Sequence, residues 1–502
     1  MAGRTTFGPF VLDRARKQLT RNGQPVPISH RGYIVLEALL DADGAPVSKD
    51  ALMARAWPDM VIEEGNLTVL VSTIRRQLGG DADAMIVTVP RIGYRLVAQA
   101  ETTAVDRAGP PLLAVLPFAN HGSVAEDGYF ADGVVDDIIT ALSRFKTFAV
   151  MSRGSTFALR EKGADARTAA REFGIRYALE GSIRRMGDRL RVTAQLLEAT
   201  GNTPLWADRY DGTLADVFTF QDRITESVVG VIEPTIRRAE IERARRKPAA
   251  SVDAYDLYLK ALPMVYAPGP ERHAEAIELL NRAAELDPGF ALPRVYAAMV
   301  YEARMSLRAP PLGNHDRETC IELARSALAL GGSDPLVRAL CAFLLFRVEH
   351  DVSALEGLRA AVRENPNNVL ILTAAADGVG VYGDLEESIG YHQRAYALSP
   401  GSNEAYWNLF GLGASYFSLG NYEAAIEWCL KSLGTLNDLI YSYICLACSY
   451  AALDRLDEAQ AMVRRVRELN PALTIKLIED GVQDPFAVAV IPWLRKVGFP
   501  EA

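Results

Sequence analysis

The 502-residue sequence predicts a multidomain chain: an α+β head of strands, three helices and a two-stranded wing, then a small α/β domain, then an all-α solenoid. Three observations carry this. From Val61 to Leu78, apolar residues Leu67, Val71, Ile74 and Leu78 recur at helical spacing, and the following run TVPRIGYRLV reads as a β-hairpin. Between residues 111 and 247, apolar strands alternate with helical patterns, the mark of an α/β domain. From residue 248 to 502, helical patterns are broken by prolines at repeating intervals. The predicted domains are 1–100, a linker at 101–110, 111–247 and 248–502.

Composition narrows the function. With 49% hydrophobic and 23% charged residues the chain reads as globular, and its length exceeds what one core can hold. The net charge of −9 argues against a nucleic-acid binder, but the average hides an asymmetry. Residues 1–100 hold 12 Lys and Arg against 10 Asp and Glu; the remainder holds 42 against 53. Any DNA affinity belongs to the head and is modest per module. No apolar run reaches the roughly 18 residues a membrane span needs, and the first residues lack a signal-peptide pattern. A cytoplasmic protein without membrane contact is expected. The cysteines Cys320, Cys341, Cys429, Cys445 and Cys448 form no secreted-type framework; Cys445 and Cys448 read as buried small residues of a helix rather than a metal pair.

In the head, FGPFVLD and KQLTRNGQPVPIS alternate as strands, with Asn22-Gly23 as a turn. Ser29 caps a first helix bearing Ile34, Val35, Leu36, Leu39 and Leu40, ended by Asp43-Gly44; Ser48 caps a second, stopped by Pro58. The third helix carries Thr68, Ser72, Arg75 and Arg76 on its polar face, and the hairpin carries Arg91 and Arg95. Strands, three helices and a wing in this order make a winged helix-turn-helix, in which one helix enters the major groove.

The segments FGPFVLD, SHRGYIVLEALL, VSKDALMARAWP, EEGNLTVLVSTIRRQLG and TVPRIGYRLV resemble, in order, the OmpR-type DNA-binding domain. The resemblance implies DNA contacts from Asn66, Thr68, Leu70, Ser72, Thr73, Arg75 and Arg76 on the helix, and from Thr88, Arg91 and Arg95 on the wing. The arginines suit phosphates; Thr68 and Ser72 suit base edges, with Thr73 or Leu70 near a thymine methyl. Gly65 stands where some relatives carry Arg, and Ser72 and Thr73 where many carry at least one, which implies weak single-site binding and several copies on tandem promoter sites. The loop Trp57–Gly65 resembles the segment that touches RNA polymerase in activators of this family. Its Asp59, Glu63 and Glu64 read equally as that contact or as a solvated face.

Residues 110–236 resemble the TolB amino-terminal-like domain through AVLPF, YFADGVVDDIITALSR, VMSRGSTFALR, REFGIRYALEGSIRRMGDRLRVTAQL and LWADRYDG. The resemblance implies no catalytic role. Asp127, Asp132, Asp136 and Asp137 read as an acidic helix start, without His or Cys nearby to complete a metal site. The long helix that follows ends in RRAEIERARRK, read as a solvated junction.

Pro288, Pro335, Pro366, Pro400 and Pro471 end helices at spacings of 47, 31, 34 and 71 residues, near one or two units of the ~34-residue tetratricopeptide repeat. Leu412, Gly413, Tyr416, Gly420, Ala425 and Ser432 fit the repeat, as do Leu446, Ala447, Tyr450, Ala459 and Pro471. Five or six repeats are expected, with a concave surface for a protein partner or self-association.

The three parts together resemble HilA-like one-component transcription regulators, and the head resembles CadC-type activators. The implied function is a DNA-binding transcriptional regulator, not an enzyme, with no cofactor. Two alternatives stand: a scaffold that does not bind DNA, and a TolB-tetratricopeptide protein associated with adenylate cyclase.

Overall fold

A computed structural model describes residues 4–502 apart from 8–9, 15–16, 22–23, 43–44, 59–63, 79–84, 90–91, 97–108, 122–125, 162–165, 214–215, 249–250, 268, 307–308, 401–404 and 481–484. The chain divides into two compact units: Met1–Arg107 with Arg171–Gly174, and the rest.

In the first unit, strands β1 (Arg4–Phe7), β2 (Phe10–Asp13), β3 (Gln18–Arg21) and β4 (Gln24–Val26) form an antiparallel sheet in chain order. Arg21 pairs with Gln24 across the expected turn, while Asn22-Gly23 itself lies outside the described residues. Helix α1 (His30–Asp41) starts where the Ser29 hydroxyl accepts from the Gly32 N–H at 3.1 Å, and it buries Tyr33, Val35, Leu36 and Leu39. Its expected Asp43-Gly44 terminator is also outside the described residues. Strand β5 (Val47–Ser48) leads into helix α2 (Lys49–Ala56), where Ser48 accepts from the Ala51 N–H at 3.2 Å. Helix α3 (Glu64–Leu78) buries Leu67, Val71, Ile74 and Leu78, the four residues its periodicity selects.

The wing, β6 (Ile86–Val89) and β7 (Gly93–Leu96), takes a third strand that sequence did not announce: β5 pairs with β7, giving the order β5-β7-β6. Two residues carry no periodicity, so such a strand is invisible to pattern reading. Gly93 permits the pairing, because a Cβ there would collide with the carbonyl of Val47.

The second unit begins with a mixed sheet ordered β10-β8-β11-β12-β13, formed by β8 (Leu112–Val115), β9 (Ala119–Asn120), β10 (Ala149–Val150), β11 (Tyr177–Met186), β12 (Arg189–Glu198) and β13 (Thr203–Thr213). Strand β8 runs parallel to β10 and β11, β9 joins β11, and β11 to β13 form an antiparallel meander. Gly187, at a positive φ of 61°, turns β11 into β12, and Asn202, at 52°, completes the next turn. Helices α4 (Glu126–Leu142), α5 (Arg153–Glu161) and α6 (Ala166–Phe173) fill the connections. Helix α5 is unanticipated; its nine residues are too few for a clear period.

Helix α7 (Val217–Arg246) sets Phe220, Ile224, Val228, Ile232 and Ile236 against the sheet at four-residue intervals. Further along, its Ala244 joins the core of the solenoid. Gly230 lies where a Cβ would stand 2.7 Å from Leu398 Cβ, so α7 packs closely on the solenoid as well. The basic end of α7 is only in part the solvated junction expected: Arg238, Arg245 and Arg246 are exposed, while Arg243 and Lys247 turn inward. Glu240, fully buried, accepts from the Tyr177 hydroxyl at 2.7 Å and pairs with Arg176 at 2.7 Å and Arg243 at 3.0 Å. Arg243 also reaches buried Asp256 at 3.2 Å, which Lys247 meets at 2.6 Å. Buried carboxylates hold these cations because an unpaired buried charge costs several kcal/mol, of the order of 3–5 when a partner is removed.

Among the described residues the solenoid shows six helix pairs: Ala254–Val265 with His273–Leu286, Leu292–Ser306 with Asp316–Gly331, Pro335–Glu349 with Ala354–Glu364, Val369–Tyr382 with Leu385–Leu398, Ala405–Ser418 with Tyr422–Thr435, and Ile440–Ala452 with Leu456–Leu469. A short helix, Ile475–Glu479, and a final one, Pro485–Lys496, close it. Pro288, Pro366, Pro400 and Pro471 follow helices, but Pro335 opens one, with Asp334 as its N-cap. Gly413 faces Cys429 and a Cβ there would collide with its sulfur, which explains the small residue where paired helices meet. The final helix touches Val369–Tyr382, Ala405–Ser418 and Ile440–Ala452, the first helices of three successive pairs, so it lies across the inner face instead of extending the stack.

Candidate nucleic-acid interface

With Leu67, Val71, Ile74 and Leu78 against the core, a 3.6-residue period turns residues near 65, 69, 72 and 76 outward. Gly65, Asn66, Thr68, Val69, Ser72 and Arg76 are indeed exposed. Leu70 is not: it packs on the core, and Val69, 67% exposed, stands outward in its place. Sequence reasoning missed Val69, although the helical wheel puts it about 200° from Val71 while Leu70 is only about 100° away.

The two threonine hydroxyls of this helix are already engaged. Thr68 Oγ1 donates to the Glu64 carbonyl at 3.2 Å and accepts from the Tyr94 hydroxyl at 3.4 Å; Thr73 Oγ1 donates to the Val69 carbonyl at 2.9 Å. With both hydrogens directed to main-chain oxygens, these threonines offer acceptor lone pairs and methyl groups, and donors come from Ser72 and Arg76.

Arg75, read from sequence as a phosphate contact, turns toward its own unit. Its Nε donates to the Ile86 carbonyl at 3.0 Å, Nη2 reaches the same oxygen, and Nη2 donates to Thr88 Oγ1 at 3.1 Å. The side chain fastens α3 to the wing. Thr88 is exposed and is the far end of that clamp; Arg95 is exposed on β7. Arg91 lies outside the described residues, and Ile92, beside it, is 50% exposed at the wing turn.

Of the acidic loop residues, Asp59 and Glu63 lie outside the described residues. Glu64 pairs with Lys49 at 2.7 Å, joining the start of α3 to α2, and this raises the Lys49 pKa. Away from this face, Arg14 and Arg55 both meet Asp41 at 2.7 Å. Partial burial works to raise the Asp41 pKa, but the two guanidiniums outweigh it and hold the carboxyl below the usual range. On the face of α3 and the wing, the exposed arginines among the described residues are therefore Arg76 and Arg95, with Arg91 added by sequence.

The acidic run on α4 is divided among partners: Asp136 meets Arg153 at 2.5 Å, and Asp137 accepts from Gln221. All five cysteines are buried and unbridged. Among the described residues no His, Cys, Asp and Glu cluster has metal-ligand geometry, and no helix is long and apolar enough to cross a membrane.

A helix with a free outer face beside a three-stranded wing defines a winged-helix DNA-binding domain. Residues 23–96 match the family described as "Transcriptional regulatory protein, C terminal", residues 110–227 match "HilA/YgeH-like transcriptional regulator, second domain", and residues 408–434 match "Tetratricopeptide repeat". The chain thus carries an OmpR-type DNA-binding domain, a HilA-like second domain and a tetratricopeptide repeat. It is 35% identical over 225 residues to a protein of Rhizobium meliloti named "Putative adenylate cyclase 3", covering 45% of this chain and 38% of that protein. To the transcriptional regulatory protein CutR of Streptomyces coelicolor it is 38% identical over 104 residues, 19% of this chain and 47% of CutR. To the transcriptional regulator HilA of Salmonella typhimurium it is 29% identical over 147 residues, 29% of this chain and 26% of HilA. The chain spans less than half the length of each of these relatives.

Proposed function

We propose that the chain is a cytoplasmic one-component transcriptional regulator that binds promoter DNA through α3 and the wing. The outward face of α3 is the observation that carries this reading: a helix held by its apolar stripe, with Asn66, Thr68, Val69, Ser72 and Arg76 free of the core. Arg76, Arg91 and Arg95 serve phosphates, while Thr68, Ser72 and the methyls of Val69 and Thr73 meet base edges. Few cations on the helix favour tandem sites bound by several copies. Domain limits at 1–100, 111–247 and 248–502, a TolB-like middle fold and an RNA polymerase contact through Asp59, Glu63 and Glu64 belong to the same proposal. The repeats supply the surface for a protein partner or a second copy.

Fluorescence anisotropy with the full-length protein and its own upstream DNA, repeated across salt concentrations, tests this. Binding that weakens steeply with salt and falls in Arg76→Ala and Arg95→Ala supports it; salt-insensitive or absent binding overturns it. The likeness to a protein named as an adenylate cyclase raises a second reading, cyclic nucleotide synthesis or an association with it, which the matches to transcription-regulator families do not favour. Assay of the purified chain for cyclic AMP formation separates the two, with none expected.

A further inference from the structure

The inner face of the solenoid forms a half-open cavity of about 520 Å³, within the size range of small-molecule sites. Its wall comes mainly from the first helices of successive pairs, with His392 added by Leu385–Leu398, and Phe486 of the final helix borders it. The lining is mainly apolar and aromatic, with Tyr266, Trp407, Phe410 and Tyr441 among its residues.

Charge is built into this wall. Among the described residues, the ionisable groups lining it, tyrosines apart, are Glu302, Arg347, Asp377 and His392. Arg347 Nε meets Glu302 at 3.1 Å, and Ser306 donates to the same carboxylate at 2.7 Å, so this pair is balanced. Asp377 differs. Its Oδ2 accepts from the Trp407 indole N–H at 2.8 Å. Its Oδ1 stands 3.6 Å from His392 Nε2, beyond hydrogen-bond reach, and among the described residues it receives no hydrogen bond. His392 is fixed elsewhere: Nδ1 lies 2.9 Å from Asn408 Oδ1, and the ring occupies the space that the absent Cβ of Gly411 leaves. The imidazole is 2% exposed, while the Asp377 side chain, a wall residue of the cavity, keeps 21% of its surface open.

The wall thus sets an open carboxylate oxygen among aromatic faces. We propose that this cavity binds a small organic cation, an amine with an aromatic or apolar body, whose ammonium group donates to Asp377 Oδ1. Aromatic rings attract a cation through their faces, and a carboxylate with an open acceptor site fixes its position. Burial raises the Asp377 pKa, and an adjoining cation offsets that penalty. The site stands independently of the DNA-binding reading.

Isothermal calorimetry on the full-length protein tests it with three probes sharing one ring: tryptamine, tryptophol and indole-3-propionate. Tryptamine is expected to bind about tenfold more tightly than tryptophol, with the acid weakest; about tenfold corresponds to one charge-assisted bond gained. Asp377→Asn brings tryptamine down to the tryptophol affinity and leaves tryptophol unchanged. If that variant does not fold by circular dichroism, Glu302→Gln, which lowers the negative charge of the same wall, must weaken tryptamine selectively. Ala414→Phe, filling the cavity, abolishes binding of all three. Equal binding of amine and acid, no saturable binding of any probe, or tryptamine affinity indifferent to these substitutions overturns the proposal.

Discussion

The Arg75 guanidinium donates to the Thr88 hydroxyl at 3.1 Å, 13 residues away, and also to the carbonyl of Ile86, locking α3 to the wing. Two residues both read from sequence as DNA contacts are thus bonded to each other. Their partnership separates the arginines of α3 into one that holds the domain and one that is exposed.

Arg75→Ala removes charge-assisted bonds to a main-chain oxygen and is expected to destabilise the first unit by about 1.5–3 kcal/mol, seen as a lower thermal midpoint. Arg76→Ala leaves that midpoint in place and weakens DNA binding, reducing the salt slope by about 1. Equal midpoints for both variants would remove the clamp.

Val69 and Thr73 present methyls where the hydroxyl hydrogens face inward. Replacing thymine by deoxyuridine at the α3 footprint is expected to weaken binding by about 0.8 kcal/mol per contacted methyl, three- to fourfold each. In Val69→Ala this sensitivity shrinks. Identical affinities for thymine and uracil DNA would exclude methyl reading.

Gly93→Ala forces a side chain against the Val47 carbonyl. Strand β7 is expected to part from β5, costing about 2 kcal/mol or more and reducing DNA affinity through a misplaced wing. Chemical denaturation of the variant measures the loss.

Asp256 is buried; this works to raise its pKa, yet Lys247, the Asp253 N–H and Arg243 hold it below the usual carboxylate range. A depressed value means stability fully present above the unfolded-state pKa of about 3.9 and lost as pH falls through the folded one. At neutral pH, Asp256→Asn is expected to cost about 3 kcal/mol by leaving Arg243 and Lys247 short of a partner. The gap between variant and wild type should close as an unfolding series moves from pH 5 to below 3; a constant gap would contradict the linkage.

Pattern reading is strongest where a short window contains the whole cause. The stripe Leu67, Val71, Ile74 and Leu78 and the caps Ser29 and Ser48 are local facts, and the structure keeps each of them. Leu70 shows the limit: apolarity made it a thymine partner on paper, while its angle to Val71 sends it to the core and leaves Val69 outside.

By itself, then, the sequence determined the succession of head, α/β domain and helical repeats, because periodicity, capping residues and turn glycines act over a few residues. Tertiary structure alone decided that Arg75 binds the wing, that Glu240 and Asp256 hold the basic end of α7, and that Asp377 opens into an aromatic cavity. These include pairings between segments up to 64 residues apart. Charge and hydrogen-bond partners depend on distance in space, which no window of sequence contains.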